Sequence, residues 1–176
     1  MTNPLLSDWD TPFQLPPFEA ISDDDFAPAV EAALETAKAN ITAIVQTADA
    51  PDFANTVAAL EVAEEVLGRV LGAFYTVAGA DSNPAREALQ RDFAPKLSAY
   101  GSWVTENAAL FARVEALWDQ RDDLDLTDEQ ARVLMLTRRG FVRAGAQLRG
   151  AAADRLRDVK SRLSVLGTQF TQNLLA

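Results

Sequence analysis

At 176 residues and 48% apolar, with neither Cys nor His, the chain can build one folded core but carries no side chain for thiol or imidazole chemistry. Disulfides, His- or Cys-ligated zinc, Ser-His pairs and an imidazole base are excluded, which leaves carboxylates, Lys and Tyr for any reaction. The net charge of −10 is uneven: residues 1–120 hold 6 basic and 19 acidic side chains and residues 121–176 hold 10 and 7, which argues against nucleic acid or an anionic membrane as a partner of the first two thirds.

The opening "MTNPLLSDWD" lacks a basic segment followed by an apolar one, so it does not read as a signal peptide. The longest weakly polar run, "LGAFYTVAGA" at 71–80, is about half a membrane span. A cytoplasmic protein with no membrane partner is expected. Residues 1–21 contain Pro4, Pro12, Pro16 and Pro17, which forbid a helix and favour an extended, polyproline-like path. The segment is nevertheless apolar, through Leu5, Leu6, Trp9, Phe13, Leu15, Phe18 and Ile21. It reads as a proline-rich strap laid over an apolar surface, with residues 22–176 forming the helical domain.

From Ser22 the period becomes helical. Ser22 is a cap, Asp23, Asp24 and Asp25 favour the positive helix end, and Phe26, Val30, Leu34, Ala37, Ile41, Ile44 and Ala48 form one stripe. Pro51 ends that helix. A second helix, capped by Asn55 or Thr56, carries Val57, Leu60, Ala63, Leu67, Val70, Phe74 and Val77. Asn83-Pro84 starts a third, with Leu89, Phe93, Leu97, Tyr100 and Val104 on its face and a kink or break expected around 91–96 because of Pro95. After a turn at Glu106-Asn107 comes a shorter segment with Leu110, Phe111, Val114, Leu117 and Trp118. Thr127 and Gln130 make a capping box for a helix through about Ala144. Gly145 and Gly150 bracket a turn before a last helix bearing Leu156, Val159, Leu163, Leu166 and Phe170. No stretch alternates like a strand, so the fold class is all-α: a bundle of long antiparallel helices with the extended strap across it.

Four features invite a functional reading. "DLDLTDEQ" places Asp123, Asp125 and Thr127 at alternate positions, as in a calcium loop. That loop needs Gly at its sixth position and Glu at its twelfth, where Asp128 and Leu134 stand, so a capped helix start is preferred. The three aspartates at 23–25 suit a first helical turn without a cation. "GRVLG" with Gly68 and Gly72 suggests close packing on a neighbouring helix. Arg138, Arg139, Arg143, Arg149, Arg155 and Arg157 read as a solvated face salt-bridged to acidic helices, with a missing domain or an anionic substrate as the alternative. Trp9, Trp103 and Trp118 read as core or strap anchors. No catalytic residue, substrate-binding residue or metal ligand is assigned from these patterns.

The segments "NPLL", "PFQLPPFEAI", "DFAPAVEAAL", "PDFANTVAALE", "LFARVEALWDQRDDLDL", "RGFVRAGAQL" and "LGTQFTQNLLA" lie in order from Asn3 to Ala176. Together they resemble the N-terminal region of the thimet oligopeptidase family of zinc metallopeptidases, of bacterial oligopeptidase A and peptidyl-dipeptidase type; Gly140 and Gly150 depart from the pattern. The resemblance implies a larger, mostly helical enzyme with a deep channel, whose zinc is held by an H-E-x-x-H helix and a downstream Glu. None of those residues has a counterpart here. The chain is therefore expected to be a channel-wall domain that restricts access to short peptides, inactive without a C-terminal catalytic domain of the same parent chain. Phe170, Leu174 and Leu175 keep helical spacing with no stop signal, so truncation before that domain is expected. Surface bared in this way could drive self-association through the last helix or the strap. A free-standing helical peptide- or protein-interaction module is the alternative.

Overall fold

The computed structural model describes residues 3–175. The side chains of Leu174 and Leu175, and Ala176, with which the apolar stripe of the sequence ends, lie outside the described residues. Among the described residues all regular structure is helical. The chain forms two compact units, one of residues 3–43 with 60–90, the other of 44–59 with 91–175.

In the first unit, α1 (Asp23–Gln46) buries the stripe read from its sequence: Phe26, Val30, Leu34, Ala37 and Ile41, widened by Ala29 and Ala33. Its start is fixed by Asp25, whose carboxylate accepts from the Ser22 amide at 2.8 Å and from the Ser22 hydroxyl at 2.6 Å. The short α2 (Ala59–Ala63) leads into α3 (Glu65–Ala80), which buries Leu67, Val70, Ala73, Phe74 and Ala78. Phe26 meets Phe74 edge to face with centroids 5.1 Å apart.

The N-terminal segment is only partly the extended path expected of it. Leu5 is fully buried, Asn3 donates to the Asp25 carbonyl at 2.8 Å, and the Trp9 indole donates to the Pro4 carbonyl at 3.0 Å. Arg69 of α3 covers Trp9 at 4.7 Å and donates to the Ser7 carbonyl at 3.1 Å. Beyond Trp9 two 3-10 turns, Pro12–Gln14 and Phe18–Ala20, replace an extended run. Phe13 and Gln14 have positive φ, 60° and 55°, and Phe13 is 95% exposed.

In the second unit, α4 (Pro84–Thr105) contributes its later turns with Phe93, Tyr100 and Val104 buried. Of the kink or break expected around 91–96, the break is absent: α4 runs on through Pro95. A proline removes a single N–H, and the buried aromatic and aliphatic residues on either side hold the face in place. Asn107 caps α5 (Ala108–Asp119), accepting from the Leu110 amide at 3.0 Å. Phe111 of α5 packs on Phe141 of α6 (Asp128–Ala144) with centroids 5.8 Å apart. The Thr127–Gln130 capping box of α6 has both its hydrogen bonds, at 3.0 and 3.2 Å. The turn after α6 leads to α7 (Ala151–Leu175).

The second helix also starts elsewhere than expected. A π-helical turn, Phe53–Ala58, precedes α2 and is capped by Asp52; Asn55 is the third residue of the turn, its side chain returning a bond to the Asp52 amide. Glu64 then interrupts the helix before α3. The expectation for "GRVLG" is overturned: Gly68 and Gly72 are exposed, and a Cβ on either would meet nothing within 4 Å.

Candidate functional site

Three polar constellations stand out. The first lies in the first unit, where Asp23 at the start of α1 meets the start of α4. Asp23 accepts from the Asn83 side chain at 2.9 Å and from Arg86 Nε at 2.7 Å. Asn83 also caps α4 through the Arg86 amide at 2.8 Å, and Arg86 reaches Asp81 at 3.2 Å. The Asn83 hydrogen bond, followed by that of Arg86, holds the Asp23 carboxyl below the usual aspartate range. Arg86 is pushed upward by the same contact. Asp25 is lowered likewise by its two bonds from Ser22. A carboxylate with its lone pairs committed and its basicity reduced is a poor proton acceptor, so this cluster ties helices together and offers no general base.

That cluster makes the chain acid-sensitive in a defined direction. Asp23 has a folded pKa below its unfolded one, so its contribution is complete above the ordinary carboxylate range and is lost as pH falls through the lowered value. Asp23→Asn should therefore lose less stability than the parent chain on going from about pH 5 to about pH 3. Urea midpoints at the two pH values measure this, and equal losses in both chains would remove Asp23 from the acid response.

The second constellation is in the second unit and was not singled out in the sequence. Arg113 of α5 is only 9% exposed, and among the described residues it has no ion pair. Its Nη2 donates to Asn55 Oδ1 at 2.7 Å, its Nε to Thr56 Oγ1 at 3.3 Å and its Nη1 to the carbonyls of Thr47 and Asp49, each at 3.3 Å. Asn55 Oδ1 also receives the Asp52 amide at 3.0 Å and the Thr56 hydroxyl at 2.8 Å. The signal for it was present: Arg113 stands three residues after Leu110 and one before Val114, on the stripe that α5 buries. A lone charge there must find acceptors, and neutral oxygens supply them.

The third surrounds Trp118, which lies between the guanidinium of Arg121 at 4.5 Å and that of Arg138 at 5.0 Å. Arg138 is held by Glu115, with Nε 2.8 Å from the carboxylate. Of the other arginines in the basic tail, Arg157 pairs with Glu106 at 2.9 Å and Asp154 at 2.7 Å, and Arg149 turns onto the carbonyls of Ala146 and Leu148. Arg139, Arg143 and Arg155 are exposed and have no ion pair among the described residues. The salt-bridged reading thus holds for Arg138 and Arg157 alone. Trp9 is half-buried under Arg69, whereas Trp103 is 39% exposed and stacks on Tyr100, so it is not a core residue.

Among the described residues no three His, Cys, Asp or Glu side chains gather as a metal site would require. The donor set also misfits a peptidase zinc, because the whole sequence contains neither His nor Cys. No described helix is long and apolar enough to cross a membrane.

No model of a protein family matches the sequence. Individual proteins do, along its whole length. It is 39% identical over 175 residues to a dipeptidyl carboxypeptidase of Salmonella typhimurium, covering 99% of this chain and 26% of that protein. A dipeptidyl carboxypeptidase of Escherichia coli is 34% identical over 174 residues, with the same coverages. Oligopeptidase A of Escherichia coli is 31% identical over 176 residues, covering 99% of this chain and 25% of the relative. In sequence, the chain is similar over its whole length to these peptidases of the thimet oligopeptidase family. It spans about a quarter of the length of these curated relatives. The higher identities fall to the dipeptidyl carboxypeptidases of the thimet oligopeptidase family, and both kinds of relative are peptidases by name.

Proposed function

We propose that this chain serves as the N-terminal channel-wall domain of a cytoplasmic zinc peptidase that cleaves short peptides. In this reading a C-terminal catalytic domain supplies the metal and its ligands, and the helical wall keeps folded proteins from the catalytic centre. The observation that carries it is similarity over 99% of the chain to peptidases about four times its length, at 39 and 34% identity for the dipeptidyl carboxypeptidases. The chemistry of the chain agrees with a division of labour. Its carboxylates nearest a cluster are committed to Arg86, Asn83 and Ser22, and the one buried cation among the described residues donates to neutral oxygens.

The expected result is that residues 1–176 cleave no peptide with or without added zinc, while a chain extended through an H-E-x-x-H helix does. Both are assayed on short fluorogenic peptides, with release of C-terminal dipeptides scored separately from internal cleavage. Zinc-dependent turnover by pure 1–176 would sink the reading. A second reading, a free-standing helical module that binds peptides or a protein partner, is favoured by bare apolar residues on α7. Genomic sequence past the Ala176 codon separates the two: a frame continuing to a zinc motif supports the first, and an immediate stop codon supports the second.

A further inference from the structure

The geometry points to α7 as a docking seam for an acidic amphipathic helix, supplied by the remainder of the longer parent polypeptide; the source of that helix rests on the peptidase reading above. Leu156, Val159, Leu163, Leu166 and Phe170 follow one another at steps of three, four, three and four, the spacing that keeps one narrow face toward a neighbouring helix. At its beginning this face is seated. Leu156 lies so close to the turn that a Cβ on Gly145 would stand 2.3 Å from its Cδ2. Lys160, one turn on, donates to the carbonyl of Ala144 at 2.9 Å. Beyond that point the same stripe runs into solvent: Leu163 is 62% exposed, Leu166 49% and Phe170 66%. The spacing does not change where the burial does. Singly scattered apolar residues need no explanation, but a packing stripe that is half covered and half bare lacks one of its two sides.

The edge of the stripe says what that side carries. Arg155 and Arg162 stand seven residues apart, each immediately before a stripe leucine, so both line the same flank of α7. Among the described residues neither has an ion-pair partner, whereas Arg157, on another face of α7, is held by Glu106 and Asp154. Flanking charges of this kind choose the partner of a helix seam, and two arginines ask for carboxylates. A second copy of α7 would set Arg155 and Arg162 against each other in one orientation and against Lys160 in the other, a like-charge pairing either way. An anionic bilayer suits less well, since the stripe is narrow and the whole chain carries −10. The relatives have about three quarters of their length outside the matched region, which leaves ample chain for such a helix.

The test uses the 176-residue chain and two synthetic helices of roughly four heptads, both with Leu at the seam positions, one with Glu and one with Lys on the flanks. Each is titrated into the chain at pH 7, with calorimetry for affinity and circular dichroism for helix gained on mixing. The Glu peptide should bind at least ~10-fold more tightly than the Lys peptide, with the preference weakening in salt. Arg155→Glu with Arg162→Glu should reverse the preference without moving the melting temperature, because both side chains are exposed. Leu163→Ser with Leu166→Ser should abolish binding of both peptides. Three results would overturn the seam: no saturable binding, equal affinity for the two peptides, or capture of α7 by phosphatidylglycerol vesicles in preference to the Glu peptide. Dimerisation that the double Glu variant leaves unchanged would overturn it too. Cleavage by the extended chain is read separately, so the seam and the peptidase reading can fail independently.

Discussion

Replacing Arg113 with Met should destabilise the second unit by about 3 kcal/mol, because four hydrogen bonds from one charged group are lost at a site with little access to water. The side chain fits that niche only through its shape. One planar fork reaches Asn55, Thr56 and the carbonyls of Thr47 and Asp49, and so joins α5 to the connection between α1 and α2. Met fills the volume and leaves those oxygens short of donors. Asn55 Oδ1 keeps the Asp52 amide and the Thr56 hydroxyl, which limits the damage there. For a chain of this size the loss corresponds to roughly 6–12 °C in melting temperature. Arg113→Lys keeps the charge but offers one compact ammonium, and it should recover less than half of the difference.

The measurement should separate the two units, since a chain of this design need not unfold in one step. Trp103 and Trp118 report on the second unit and Trp9 on the first, so a Trp9→Phe background leaves only second-unit fluorescence. The urea midpoint followed in this way should drop for Arg113→Met. A change below about 0.5 kcal/mol would mean that water replaces the guanidinium at no cost and that the hydrogen bonds observed are not worth their desolvation.

How far the sequence foretold this structure depends on the physical range of each signal. Capping and periodicity act within a turn or two, and there the reading held: Asn83 and Thr127 start their helices, the α1 stripe from Phe26 to Ile44 is buried, and Gly145 ends α6. Errors arose where a local preference was outweighed by neighbours. Pro95 breaks helices in isolation, yet it stands on the exposed side of α4 while Phe93 and Tyr100, before and after it, are buried. Asn55 is a good cap by type, but the Asp52 carboxylate takes that position and Asn55 is recruited by Arg113 from 58 residues away. Gly68 and Gly72 read as a packing seam, though small residues are also found where no neighbour comes near. Bare apolar surface on the last helix was expected from the resemblance, whereas the stripe's spacing alone could not show it. Spacing says which residues share a face, and only the fold says whether that face is covered.

Gly145→Ala is the second large effect, and it should come from two sources that can be separated. Gly145 closes α6 at φ 99°, ψ 17°, with the Ala146 amide donating to the Phe141 carbonyl at 3.0 Å and its own amide to that of Val142 at 3.1 Å. An L side chain in that left-handed region costs about 1–2 kcal/mol. The added Cβ would also stand 2.3 Å from Leu156 Cδ2 and 3.3 Å from Leu148 Cδ1. Relief of that overlap requires α7 or its leucine to move, at a further ~1–2 kcal/mol. The expected total is about 3 kcal/mol, read as a shift in the urea midpoint. Leu156→Ala removes the obstructing methyl, so in the double variant only the backbone part should persist and the two substitutions should couple by about 1–2 kcal/mol. Strict additivity would place the whole cost in the left-handed backbone. Gly145→Asn adds a Cβ at the same point but tolerates the left-handed region, so it should keep the overlap and shed much of the strain. If Asn and Ala cost the same, contact with Leu156 dominates, and the close fit of the turn on α7 is what sets the angle at which its apolar stripe leaves α6.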